Sequence, residues 1–133
     1  MNQVGNRIGT GDKAREVDVP QFVDSRGRLA VFERLHPLPF KPVRAFVISE
    51  VPKGEHRARH TVPCNQFLWM AAGSCWAVVR ADEQCDAADQ QRFRLTANGR
   101  GLYLPRGVWI DLYEFTAGSI LICLADAEYV ARV

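Results

Sequence analysis

No apolar run in this chain approaches the roughly 18 residues of a membrane-spanning helix. Its opening stretch, MNQVGNRIGTGDKAREVDVP, carries no apolar core of the kind a signal peptide needs. Clusters of lysine and arginine are missing too. The net charge is +2 over 133 residues, and the arginines stand singly, so a nucleic-acid partner is not expected. Cysteine is sparse: Cys64, Cys75, Cys85 and Cys123 show no C-x-x-C spacing and are too few for a disulfide scaffold. Cys75 and Cys123 sit in strand-like apolar runs and read as inert buried thiols. A reducing cytoplasm is the expected compartment, with no membrane partner. Helical periodicity is also absent. The one segment approaching it, Asp82–Gln91, is too polar for a core helix and reads as an exposed loop.

What is present is an all-β rhythm. Hydrophobic residues (47%) outweigh charged ones (24%), which predicts one folded domain. Short apolar runs alternate with turn residues at intervals of about ten. Strands are expected at Leu29–Glu33, Arg44–Glu50, Gln66–Ala72, Cys75–Arg80, Arg92–Leu95, Gly101–Leu104, Trp109–Phe115 and Ser119–Ala125. Prolines 37, 39 and 42 mark an extended connector, because proline lacks a ladder donor. Residues 1–17 are polar and read as a flexible N-terminal arm, leaving 18–133 as the domain.

Two stretches carry more specific information. Gly54, His60, Val62, Gln66 and Gly73 lie in GEHRARHTVPCNQFLWMAAG, and Gly99, Pro105, Gly107, Ile110 and Glu114 in GRGLYLPRGVWIDLYE. Their spacing resembles the two motifs of the cupin fold, which implies a single-domain antiparallel jelly-roll β-barrel, closed or nearly so. In metal-bearing cupins the positions of His60, Val62, Gln66 and Ile110 supply three histidines and a carboxylate. Here only His60 is a good ligand, and a stable metal site needs about three or four donors. No metal and no cofactor are expected.

Six segments resemble one family of cupins in order: VDSRGRLAVFE (23–33), PFKPVRAFVISEVPKG (39–54), RARH (57–60), QFLWMAAGSCWAVV (66–79), GLYLPRGVW (101–109) and AGSILICLADAEY (117–129). The family is that of the WxcM-like sugar 3,4-ketoisomerases. The resemblance implies isomerisation of a dTDP-linked 4-keto-6-deoxyhexose in deoxysugar biosynthesis, in a homodimer that exchanges an N-terminal strand near Gln21–Glu33. The departures fall at chemically important places. The family's H-A-H is His60-Thr61-Val62 here, so the second histidine, usually held to be the base, is gone. The family's glycine before the first histidine is Ala58, an aromatic position often held by tyrosine is Phe46 or Val47, and the histidine after the tryptophan is Ile110.

A 3,4-ketoisomerase takes a proton from C3 and delivers one to C4 through an enediol, which needs a group that titrates near neutrality. Histidine meets that need, and His60 is the candidate. Strand alternation would turn His60 and Val62 inward together, and likewise Ile110 and Glu114, making Glu114 a second acid–base candidate. A diphosphate calls for guanidinium forks, for which Arg57, Arg26 and Arg44 are the candidates. Asp24-Ser25-Arg26-Gly27 also reads as a tight turn. Gln66 would bond a sugar hydroxyl or satisfy a buried network, and Tyr103 and Trp109 would line the pocket or pack in the core. The competing reading is an inactive cupin that binds a nucleotide sugar or partners an active isomerase. It draws on the apolar residues at 62 and 110, which dry a site that needs proton traffic.

Overall fold

The computed structural model describes residues 12–84 and 87–129. Its strands are β1 (Arg15–Val17), β2 (Gln21–Asp24), β3 (Gly27–Ala30), β4 (Glu33–Arg34), β5 (Pro37–Leu38), β6 (Arg44–Ser49), β7 (Arg57–Thr61), β8 (Gln66–Ala72), β9 (Ser74–Arg80), β10 (Gln91–Thr96), β11 (Gly101–Leu104), β12 (Trp109–Tyr113) and β13 (Ile120–Ala125). A 3-10 turn at Ala87–Asp89 lies in the segment expected as an exposed loop. Two sheets carry the fold, one ordered β10-β9-β12-β7 and the other β1-β11-β8-β13-β6. From β6 to β13, successive strands alternate between the sheets except at the β9–β10 hairpin, which gives the antiparallel jelly-roll order. Among the described residues no ladder joins the sheets at their edges. The expected barrel is thus a sandwich of two facing sheets.

Burial follows the alternation. Leu68, Met70, Leu102, Leu104, Leu121 and Cys123 point from one sheet, and Cys75, Ala77, Val79, Leu95, Ile110 and Leu112 from the other, into a shared core. The larger sheet is buried on its outer face as well, where Phe67, Trp69 and Tyr103 pack against Val19, Leu38 and Phe40 of the N-terminal segment. That double burial explains why β8 reads as a continuous apolar run. Gly73 joins β8 to β9 at φ 73°, and a Cβ there would lie 2.7 Å from Ser119 and Thr116 atoms.

Within the arm expected at 1–17, Arg15–Val17 forms a strand on β11 and Ala14 is buried in the core. Residues 1–11 and Cys85 lie outside the described residues. The strand expected at Leu29–Glu33 runs as β3, Gly27–Ala30, and strands β2, β4, β5 and β7 were not anticipated.

Candidate functional site

A cavity of about 690 Å³ opens between the sheets. That size suits a small-molecule site, typically about 300–1,000 Å³. Strand β6 sends Arg44, Phe46 and Ile48 into it from alternate positions, so Phe46 holds the aromatic position while Val47 faces outward and is exposed. Gln66 and Leu68 of β8, Leu104 of β11 and Cys123 of β13 line the same side. Opposite them stand Arg57, Ala58 and His60 of β7, with Ile110 and Leu112 of β12. Pro63 and Cys64, then Ala127, Glu128 and Tyr129, complete the lining.

Arg57 and His60 are three residues apart, so an unbroken strand would place them on opposite faces. A bulge brings them together. The β7–β12 register pairs Ile110 with His60 but Asp111 with Ala58, leaving Arg59 as an extra residue, and Ala58 and Arg59 adopt φ values of 73° and 61°. Outside the cavity, Asp111 holds both sides of this bulge: its Oδ1 lies 2.8 Å from His56 Nδ1 and 3.6 Å from Arg59 Nε. The His56 ring stacks on Tyr113 at 5.4 Å.

His60 Nδ1 lies 3.0 Å from the Thr61 carbonyl oxygen. A carbonyl only accepts, so Nδ1 is the donor here, and in the neutral ring Nε2 is then the nitrogen with the lone pair a base requires. The Arg44 guanidinium lies over Phe46 (4.9 Å) and Tyr129 (5.6 Å), and its buried Nε has no hydrogen-bond partner among the described residues. Neither Arg44 nor Arg57 has a carboxylate within ion-pair distance among those residues. Two guanidiniums without a carboxylate partner thus face one largely apolar cavity.

Four candidates stand elsewhere. Glu114 follows the end of β12 at φ 54° and is exposed, because the left-handed residue breaks the alternation that would have turned it inward. Tyr103 faces the N-terminal segment on the outer side of its sheet; its hydroxyl donates to Asp12 Oδ2 at 2.8 Å. Trp109 is half-buried on the outer face of the smaller sheet under the Arg80 guanidinium, 4.7 Å away. Arg26 sits in the exposed hairpin turn, 2.6 Å from Asp24. Val62 is buried in the core rather than lining the cavity, since β7 ends at Thr61 and the Val62 N–H donates to Val108 O at 2.7 Å. Sequence reasoning gave no role to Cys64, Glu128 or Tyr129, because none belongs to a motif position.

The donors around the cavity do not suit a metal ion. His60 stands beside an amide, Ile110 offers no donor, and among the described residues no three His, Cys, Asp or Glu side chains converge.

The sequence model of the family described as "FdtA: WxcM-like, C-terminal" matches residues 12–132. A TDP-4-oxo-6-deoxy-alpha-D-glucose-3,4-oxoisomerase of Aneurinibacillus thermoaerophilus is 26% identical over 114 residues, 85% of this chain and 78% of that protein. The structure of the WlaRB TDP-quinovose 3,4-ketoisomerase from Campylobacter jejuni is 25% identical with a TM-score of 0.79, covering 90% of this chain and 89% of its own. A 3,4-ketoisomerase from Helicobacter canadensis has the same fold, with a TM-score of 0.79 at 24% identity over 88% of this chain and 85% of that one. With a match spanning nearly all of its length, this chain belongs to the FdtA, WxcM-like family of sugar 3,4-ketoisomerases.

Proposed function

We propose that this protein is a nucleotide-sugar isomerase that moves the ketone of a TDP-linked 4-keto-6-deoxyhexose from C4 to C3. The observation that carries this reading is the meeting of His60, with its free Nε2, and two carboxylate-free guanidiniums in one apolar cavity. In this reading Arg57 and Arg44 hold the diphosphate, and Gln66 bonds a sugar hydroxyl. His60 takes the C3 proton and returns it to C4 on the same face, a one-base route that does without the histidine replaced by Val62. The chemistry needs no metal. The protein acts in the cytoplasm as a homodimer.

The test is incubation with TDP-4-keto-6-deoxyglucose in deuterated water, followed by NMR. Deuterium at C3 of the recovered substrate and a 3-keto product, deuterated at C4 wherever the base has exchanged with solvent, are expected from the wild type and not from His60→Ala. Binding without either signal would establish the inactive cupin instead. Arg57→Ala should weaken TDP binding by about 1.5–3 kcal/mol, the scale of a charge-assisted hydrogen bond. Calorimetry on folded protein that finds no TDP binding would overturn the nucleotide-sugar reading itself.

A further inference from the structure

Moving a ketone from C4 to C3 displaces two protons: C3–H becomes C4–H, and the hydroxyl proton on O3 ends on O4. His60 accounts for the carbon proton alone. Among the described residues of the cavity, the other titratable side chains besides the arginines are Cys64, Cys123, Glu128 and Tyr129. Glu128 and Tyr129 are exposed, and burial pushes the Cys123 thiol far up, holding it protonated. Cys64 differs in its setting. It lines the cavity from the short connection between β7 and β8, four residues after His60. That connection is fixed on both sides of it: Gly107 N–H donates to the Val62 carbonyl at 2.9 Å, and the Asn65 backbone and side-chain N–H groups donate to Asp126 at 3.0 and 2.9 Å. Gln66 Nε2 donates to Cys64 Sγ at 3.9 Å, so the sulfur accepts in that contact and its S–H is left free of it. Gln66 is itself 8% exposed and lines the cavity, and its amide oxygen has no partner among the described residues, so it is available to a polar ligand beside this thiol.

We infer that Cys64 is the second proton-transfer residue of this protein, serving the sugar oxygens while His60 serves the carbons. The inference rests on the isomerase reading. As His60 Nε2 removes the C3 proton, the C3–H electron pair forms the C3=C4 bond, and the carbonyl pair on O4 takes the Cys64 proton. The result is a neutral enediol between an imidazolium and a thiolate. The thiolate then removes the O3 proton, the O3 pair forms the new carbonyl, and the C=C pair takes the imidazolium proton at C4. Both residues return to their starting forms, and no further reactant is consumed.

Cys64→Ala and Cys64→Ser test this, the serine being nearly isosteric and guarding against a packing loss. Both should lower kcat by about 10²–10⁴-fold, the usual contribution of a positioned acid–base group. Their affinity for TDP and their melting temperature should stay within experimental scatter of the wild type, a split that a structural role would not give. Turnover by either folded variant within a few-fold of an active wild type would overturn the role of Cys64 and leave the isomerase reading intact. A wild type that binds TDP yet neither exchanges C3–H nor forms product would remove both.

Discussion

Ala58 holds a backbone conformation that suits glycine. Its φ of 73° lies in the left-handed region, where a Cβ costs about 1–2 kcal/mol. Ala58→Gly should therefore stabilise the protein by about 0.5–1 kcal/mol, after allowing for the freer unfolded chain and the lost methyl contact. Denaturant unfolding checks this; a loss of stability would mean that the methyl group's contact with the core outweighs the strain. At this scale the sequence was informative where a motif position marks a side chain. His60, Arg57, Arg44 and Gln66 all line one cavity. It was uninformative for Tyr103 and Trp109, because an aromatic side chain in a strand packs equally well on either face of its sheet, and both point outward here. Cys64 was invisible for another reason: it lies between strands, where no periodicity reports direction.

In β7 a single extra residue decides which side chains meet the cavity. The bulge at Ala58–Arg59 is tied to β12 by Asp111, whose carboxylate takes the His56 contact and the Arg59 ion pair while only 16% exposed. Asp111→Ala should cost about 1.5–3 kcal/mol of stability, the value of a hydrogen bond to a charged group. It should also weaken TDP binding, since Arg57 and His60 share the cavity only while the bulge persists. Unchanged affinity in the folded variant would show that the bulge is held by the backbone alone. Bulges and left-handed residues are the features that period-two reasoning misses. The same blindness carried the expected strand through to Phe115, whereas β12 stops at Tyr113 and Glu114 turns to solvent at φ 54°. Strands with continuous apolar character, β8 and β11, were read correctly at both ends because both faces of their sheet are covered.

For the whole molecule, the β2–β3 hairpin leaves apolar side chains uncovered. Phe22 and Leu29 are paired across the β2–β3 hairpin and are 62% and 60% exposed, with Val23 beside them at 63%. This supports the proposed exchange of the Gln21–Glu33 segment with a second copy, since such a cluster is a poor solvent face. Light scattering should give a dimer at tens of micromolar, and Phe22→Asp with Leu29→Asp should shift it toward monomer. A monomeric wild type would remove the proposal. The core makes a different demand, on pH. Burial pushes the Cys75 thiol from its usual value near 9 up to about 12, and raises the Cys123 thiol too. Burial and the hydrogen bond to Asp12 raise the Tyr103 phenol. Above pH 9 the unfolded chain releases protons that the folded chain retains, so the folded state binds more protons and stability falls as pH rises. The contribution of Cys75 is complete below pH 9 and is lost on the way to pH 12, at up to about 1.4 kcal/mol per pH unit. Denaturant midpoints should hold up to pH 9 and then decline, and Cys75→Ala, though less stable at neutral pH, should decline less steeply. Parallel curves for variant and wild type between pH 9 and 11 would show that the Cys75 thiol ionises as readily in the folded protein as in the unfolded chain.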